Sequence, residues 1–70
     1  MNEIEQLLRV GFRLTWRPAW DEFDAYISFD QQFLMYLVYD PRGEGQTEYY
    51  EFGDAWAAFH QAAINQENAA

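Results

Sequence analysis

Seventy residues with no cysteine, no lysine, a net charge of −8 and 20% aromatic side chains describe a single small domain spanning residues 1–70. The missing cysteines exclude disulfides and thiolate metal sites, the missing lysines exclude Schiff-base chemistry, and the acidity repels phosphate backbones and anionic membranes. A chain this short buries only about 60% of the surface it exposes when unfolded, so its six Phe, five Tyr and three Trp cannot all be hidden.

Asn2 and Glu5 are spaced as an N-cap and its capping-box acid. Ile4, Leu7 and Leu8 then form one helical stripe, and Gly11 is placed to end the helix in the left-handed conformation. Two turns do not persist alone, so this helix must pack on something. From Phe12 the period becomes two: Phe12, Leu14 and Trp16 alternate with Arg13, Thr15 and Arg17, a half-buried strand that Pro18 stops. Residues 18–24 show no period and read as a connection. Residues 25–29 resume the strand pattern, Asp30-Gln31-Gln32 suits a tight hairpin, and residues 33–39 are apolar throughout. Residues 40–45 (Asp-Pro-Arg-Gly-Glu-Gly) are a strong turn signal. A strand over 47–52 follows. Gly53-Asp54 opens a second helix with Asp54 as N-cap or first-turn acid, and its apolar face is Ala55, Trp56, Phe59, Ala62 and Ala63. Residues 66–70 are expected to fray. The order α-β-β-β-β-α predicts an α+β fold, a four-stranded antiparallel meander with its helices on one face.

The strand over 33–39 is apolar on both faces, which suits a sheet covered twice. With Phe33, Met35, Leu37 and Tyr39 toward the helices, Leu34, Tyr36 and Val38 face away. Two arrangements satisfy this pattern. The helices divide between the faces and everything is core, or the outer face, widened by Tyr26, Ser28 and Tyr49 or Tyr50, is a tyrosine-rich binding surface. A homodimer through that face meets the same need.

Charge is unevenly spread. Three of the four arginines lie in residues 1–17 with two glutamates, net +1, whereas residues 18–70 carry ten acids and one arginine, net −9. Asp21, Glu22 and Asp24 flank Trp20 and Phe23; Glu44, Glu48, Glu51 and Asp54 follow the hairpin turn. Alternate carboxylates on a strand stand about 6.6–6.8 Å apart and can imitate phosphates to a protein that reads a nucleic-acid backbone. The plainer reading is a solvated surface that keeps an aromatic-rich chain in solution. Arg9, Arg13 and Arg17 serve to neutralise neighbouring acids and cover apolar surface with their stems.

Asp21-Glu22-Phe23-Asp24 lacks calcium-loop spacing and residues 40–45 are already accounted for as a turn, so no metal and no cofactor are expected. His60 lies beside the Phe59 face, and Ser28, the single serine, lacks a glycine elbow; no catalytic residue is expected, and the protein is read as a non-enzyme. The opening Met1-Asn2-Glu3-Ile4-Glu5 has neither the basic nor the apolar region of a secretory signal, so a cytoplasmic location is expected. These readings converge on a non-enzymatic binding module that docks on a basic, nucleic-acid-binding protein, with no direct contact to nucleic acid or membrane. Trp20, Phe23 and Tyr36 would anchor it, with Asp21, Glu22, Asp24, Glu48 and Glu51 supplying charge complementarity. The alternative is a structural or assembly protein, dimeric through Leu34, Tyr36 and Val38, whose acidity only confers solubility. In size, charge and aromatic content, though not in any alignable residue, the chain is similar to the small acidic accessory proteins of phages and mobile elements, including anti-CRISPR and anti-restriction inhibitors.

Overall fold

In the computed structural model, which describes residues 2–69, the Asn2 carboxamide oxygen accepts the Glu5 amide at 2.7 Å and starts α1 (Glu3–Arg9). At the other end Gly11 adopts φ +111°, its amide donates to the Leu8 carbonyl at 3.0 Å, and the Phe12 amide donates to the Leu7 carbonyl at 3.1 Å. This pair of bonds is a Schellman cap. Because the cap occupies Phe12, β1 (Leu14–Trp16) begins two residues later than the alternation suggests.

β2 (Ala25–Asp30), β3 (Met35–Asp40) and β4 (Gly45–Tyr49) continue the chain, and α2 (Phe52–Asn68) closes it. The strands lie in the order β1-β2-β3-β4, each antiparallel to the next. The α-β-β-β-β-α meander expected from the sequence is the fold observed. Asp54 is a first-turn acid of α2, whose N-cap, Glu51, makes no side-chain capping bond. α2 also runs through residues 66–68, where fraying is expected, because Gln66 is completely buried. Of that tail, Ala70 lies outside the described residues.

Leu8, Ala25, Ile27, Tyr36, Val38, Ala55, Phe59 and Ala62 form one core. Ile27 pairs with Val38 and Phe29 with Tyr36 across the sheet, so these strand residues share a face, and both helices pack on it. The other face carries Tyr26, Ser28, Met35, Leu37 and Tyr39, all half-buried.

This reverses the facing expected for β3. Tyr36 and Val38, placed outward above, are 0% and 3% exposed beneath α2, while Met35, Leu37 and Tyr39 look away from the helices. The hairpin supplies part of the reason. Asp30 Oδ1 accepts the amides of Gln32 at 2.8 Å and Phe33 at 3.2 Å, drawing Phe33 into a turn that Leu34 completes at φ +54°. The rest is polar: the Tyr36 hydroxyl donates to Glu5 Oε2 at 2.6 Å and accepts from Arg9 Nε at 3.0 Å. A buried tyrosine is stable only with its hydroxyl partnered, and α1 supplies both partners on this side alone.

Candidate functional site

Four segments meet at one end of the molecule: the exit of β1, the connection 17–24, the β3–β4 turn and the last turns of α2. Asn65 Nδ2 donates to Asp40 Oδ2 at 2.9 Å, and Gln66 Nε2 donates to the Phe23 carbonyl at 2.6 Å. Arg17 lies 3.5 Å from Asp24.

Asp21 is the pin of this end. It is 7% exposed; its Oδ1 accepts the Phe23 amide at 3.2 Å, and its Oδ2 accepts Arg42 Nε at 3.2 Å and Gln66 Nε2 at 3.3 Å. Burial pushes its carboxyl up, but the Phe23 amide, Arg42 and Gln66 together outweigh burial and hold it below the ordinary value of 3.8. The Asp21 amide donates to the Pro18 carbonyl at 3.1 Å, and Pro18 is itself buried. A short, aperiodic connection is thereby fixed from both sides.

What that fixing presents is a pair of rings among acids. Trp20 and Phe23 are each 49% exposed, and Glu22 and Asp24 are exposed beside them. The Arg42 guanidinium sits 5.8 Å from the Phe23 ring centroid, close enough for a cation–π contact. α2 ends here without a basic residue in its last turn, so its partial negative charge adds to that of the carboxylates.

The residues expected to bind a partner do not form one surface. Trp20, Glu22, Phe23 and Asp24 come together, with Asp21 behind them as their support. Leu34 is exposed at the opposite end, on the β2–β3 hairpin beside Phe33. Tyr36 and Val38 are core. Glu48 pairs with Leu37 on the open sheet face, and Glu51 caps α2.

The sequence places Tyr26 and Ser28 on the outer face, where they are found, but it missed their neighbours there and a second surface altogether. On the open face Tyr26 stacks on Tyr39 with centroids 5.3 Å apart, Arg13 lies 4.1 Å over the Tyr26 ring, and the Tyr26 hydroxyl donates to Gln46 at 3.0 Å. Beside β1, a groove of about 520 Å³ is lined by Leu14, Trp16, Phe59 and Ile64. Ile64 is the overlooked signal there, an apolar residue one position outside the stripe assigned to α2. Among the described residues no cluster of three or more acids and histidines is placed to hold a metal ion, and no helix is long and apolar enough to cross a membrane. Comparison with protein-family models, with curated proteins and with solved structures finds no match to the chain.

Proposed function

We propose that the protein is a non-enzymatic binding module, an inhibitor or adaptor acting in the cytoplasm, which docks through residues 18–24 on a basic, nucleic-acid-binding protein. The observation that carries this reading is the half-exposure of Trp20 and Phe23 beside Glu22 and Asp24, on a connection that Asp21 bonds to Arg42 and Gln66. Aromatic side chains at such a site supply desolvated anchors, while flanking carboxylates steer a cationic partner and set orientation. A loop already ordered loses less entropy on binding than a flexible one. Glu48 and Glu51 lie on other surfaces and drop out of the site.

The test is capture from cell extract on the immobilised protein, comparing wild type with Trp20→Ala/Phe23→Ala and Glu22→Arg/Asp24→Arg. The retained protein is then purified and titrated at about 0.05 M and about 0.5 M salt. The expected partner is basic, binds nucleic acid, releases at the higher salt and is lost with both double variants. Retention of the same proteins by all three forms would sink the proposal.

A further inference from the structure

We infer that two copies of this chain pair through the free edge of β1, each closing the other's apolar groove. β1 is bonded on one side only, to β2, and is the edge of the sheet. Its Leu14 and Trp16 point to the helix side of the sheet, yet they remain 38% and 37% exposed because α1 packs on β2 and α2 on β2, β3 and β4. Ile64 of α2 bounds this uncovered strip on one side, and Leu7 of α1 with Phe12 on the other.

These five side chains are 37–62% exposed; at roughly 150–250 Å² per large side chain they leave on the order of 500 Å² of apolar surface in water. That is most of the ~800 Å² which each member of a stable pair buries. An unpaired strand edge lies within the same patch, and an exposed edge is itself a template for another strand.

Three features specify a second copy as the occupant. A two-fold axis normal to the sheet joins the β1 edges antiparallel and keeps all four helices on one face, so Leu14 and Trp16 of each copy meet the groove of the other. A patch that combines edge and groove is self-complementary under this operation. The linings of the groove and of its extension along α1 hold one acid, Glu67, and one arginine, Arg13. On a chain of net charge −8 this surface lets two copies approach with little acid set against acid. Antiparallel pairing also carries the two acidic ends to opposite ends of the pair. The arginines it brings near one another on the outer face are already engaged, Arg13 on the Tyr26 ring and Arg17 with Asp24.

The surface shares no residue with the connection 18–24, so variants separate the two proposals. The test is sedimentation equilibrium of the full chain at about 100 µM, in about 0.1 M and about 0.5 M salt, since apolar pairing of like-charged chains tightens as charge is screened. Wild type is expected at twice the monomer mass, more tightly paired at the higher salt. Ile64→Lys and Leu7→Glu, both at exposed helix positions, are expected to be monomeric with an unchanged far-ultraviolet spectrum. Tyr50→Lys, 77% exposed elsewhere, is expected to pair as wild type does. A monomeric wild type at both salts overturns the inference, and so does pairing that survives both Ile64→Lys and Leu7→Glu.

Discussion

The guanidinium of Arg42 stands 3.0 Å from the carboxylate of Asp21 and ties the β3–β4 turn to the connection that follows β1. Because the Asp21 carboxyl is held below 3.8 when folded, its contribution is fully present above that value. It is lost as pH falls through the lowered folded value, since the unfolded chain then binds the proton more tightly. Asp21→Asn should therefore lower the thermal midpoint by several degrees at neutral pH and narrow the difference from wild type in acid. Thermal unfolding followed by circular dichroism from pH 7 down to about pH 2 checks this; a constant difference at every pH would refute it.

Tyr36 gives the alkaline counterpart. Burial, with the hydrogen bond to Glu5, raises its hydroxyl above 10.0, although Arg9 pulls the other way. Stability from the neutral phenol is complete below 10.0 and is lost as pH rises through the raised folded value. Tyr36→Phe keeps the ring against Phe29 and Phe52 but removes the bonds to Glu5 and Arg9. A loss of about 1–2 kcal/mol at pH 7 is expected, together with a flatter alkaline limb. Urea unfolding of both forms at pH 7 and near pH 10.5 measures both effects.

The order of elements was legible because several boundaries have a local chemical cause, although β3 and β4, expected over 33–39 and 47–52, run over Met35–Asp40 and Gly45–Tyr49. Asn2 and Glu5 start α1, Gly11 ends it, Pro18 stops β1, and residues 40–45 signal the turn, of which Asp40 and Gly45 belong to the flanking strands. The orientation of β3 was not legible. Met35, Leu37 and Tyr39 are as apolar as Tyr36 and Val38, so hydrophobicity could not choose between the faces, and the choice rests on contacts 27 and 31 residues away, from Arg9 and Glu5 to the Tyr36 hydroxyl. The same limit applies at the candidate site. Trp20, Glu22, Phe23 and Asp24 were found as an exposed acidic and aromatic group, but nothing local distinguishes Asp21 from its neighbours. Its distant support comes from Arg42 and from Gln66, the latter 45 residues away in a segment read as tail.

The reversed facing makes a direct test possible with adjacent residues. Leu37→Lys sets its ammonium in solvent on the half-buried face and should leave the protein folded. Val38→Lys forces an unpaired charge beneath α2 and should unfold it. Dispersion of amide signals in a proton–nitrogen spectrum distinguishes the two, and the opposite result would restore the facing expected from sequence.

Leu34 occupies the left-handed region at φ +54° with its side chain largely in water. For a residue with Cβ this conformation costs about 1–2 kcal/mol, and asparagine tolerates it better. Leu34→Asn should raise stability by about 0.5–1 kcal/mol, measured as an increased urea midpoint at unchanged m-value.

Once a partner is in hand, Glu22→Arg should act chiefly on encounter. A rim carboxylate reversed in sign lowers the association rate and leaves dissociation nearly unchanged, while Trp20→Ala raises the dissociation rate. Stopped-flow mixing against surface-plasmon dissociation separates the two. Added salt should weaken this binding while it tightens self-association through β1.

α1 is attached in an unusual proportion of polar to apolar contacts. Leu8 is its one buried side chain; its hold also includes the bonds of the Tyr36 hydroxyl to Glu5 and Arg9, the Gln31 amide donating to the Arg9 carbonyl at 2.8 Å, and the Arg9 guanidinium 4.8 Å over Phe29. A helix held this way is expected to open before the rest of the molecule, in a sub-global fluctuation that leaves the four strands and α2 intact. Amide protons of α1 should therefore exchange well ahead of those in β2 and β3. During folding, the seven-residue helix gains its polar partners only once the sheet has placed Tyr36, so it is expected to close last, as a latch.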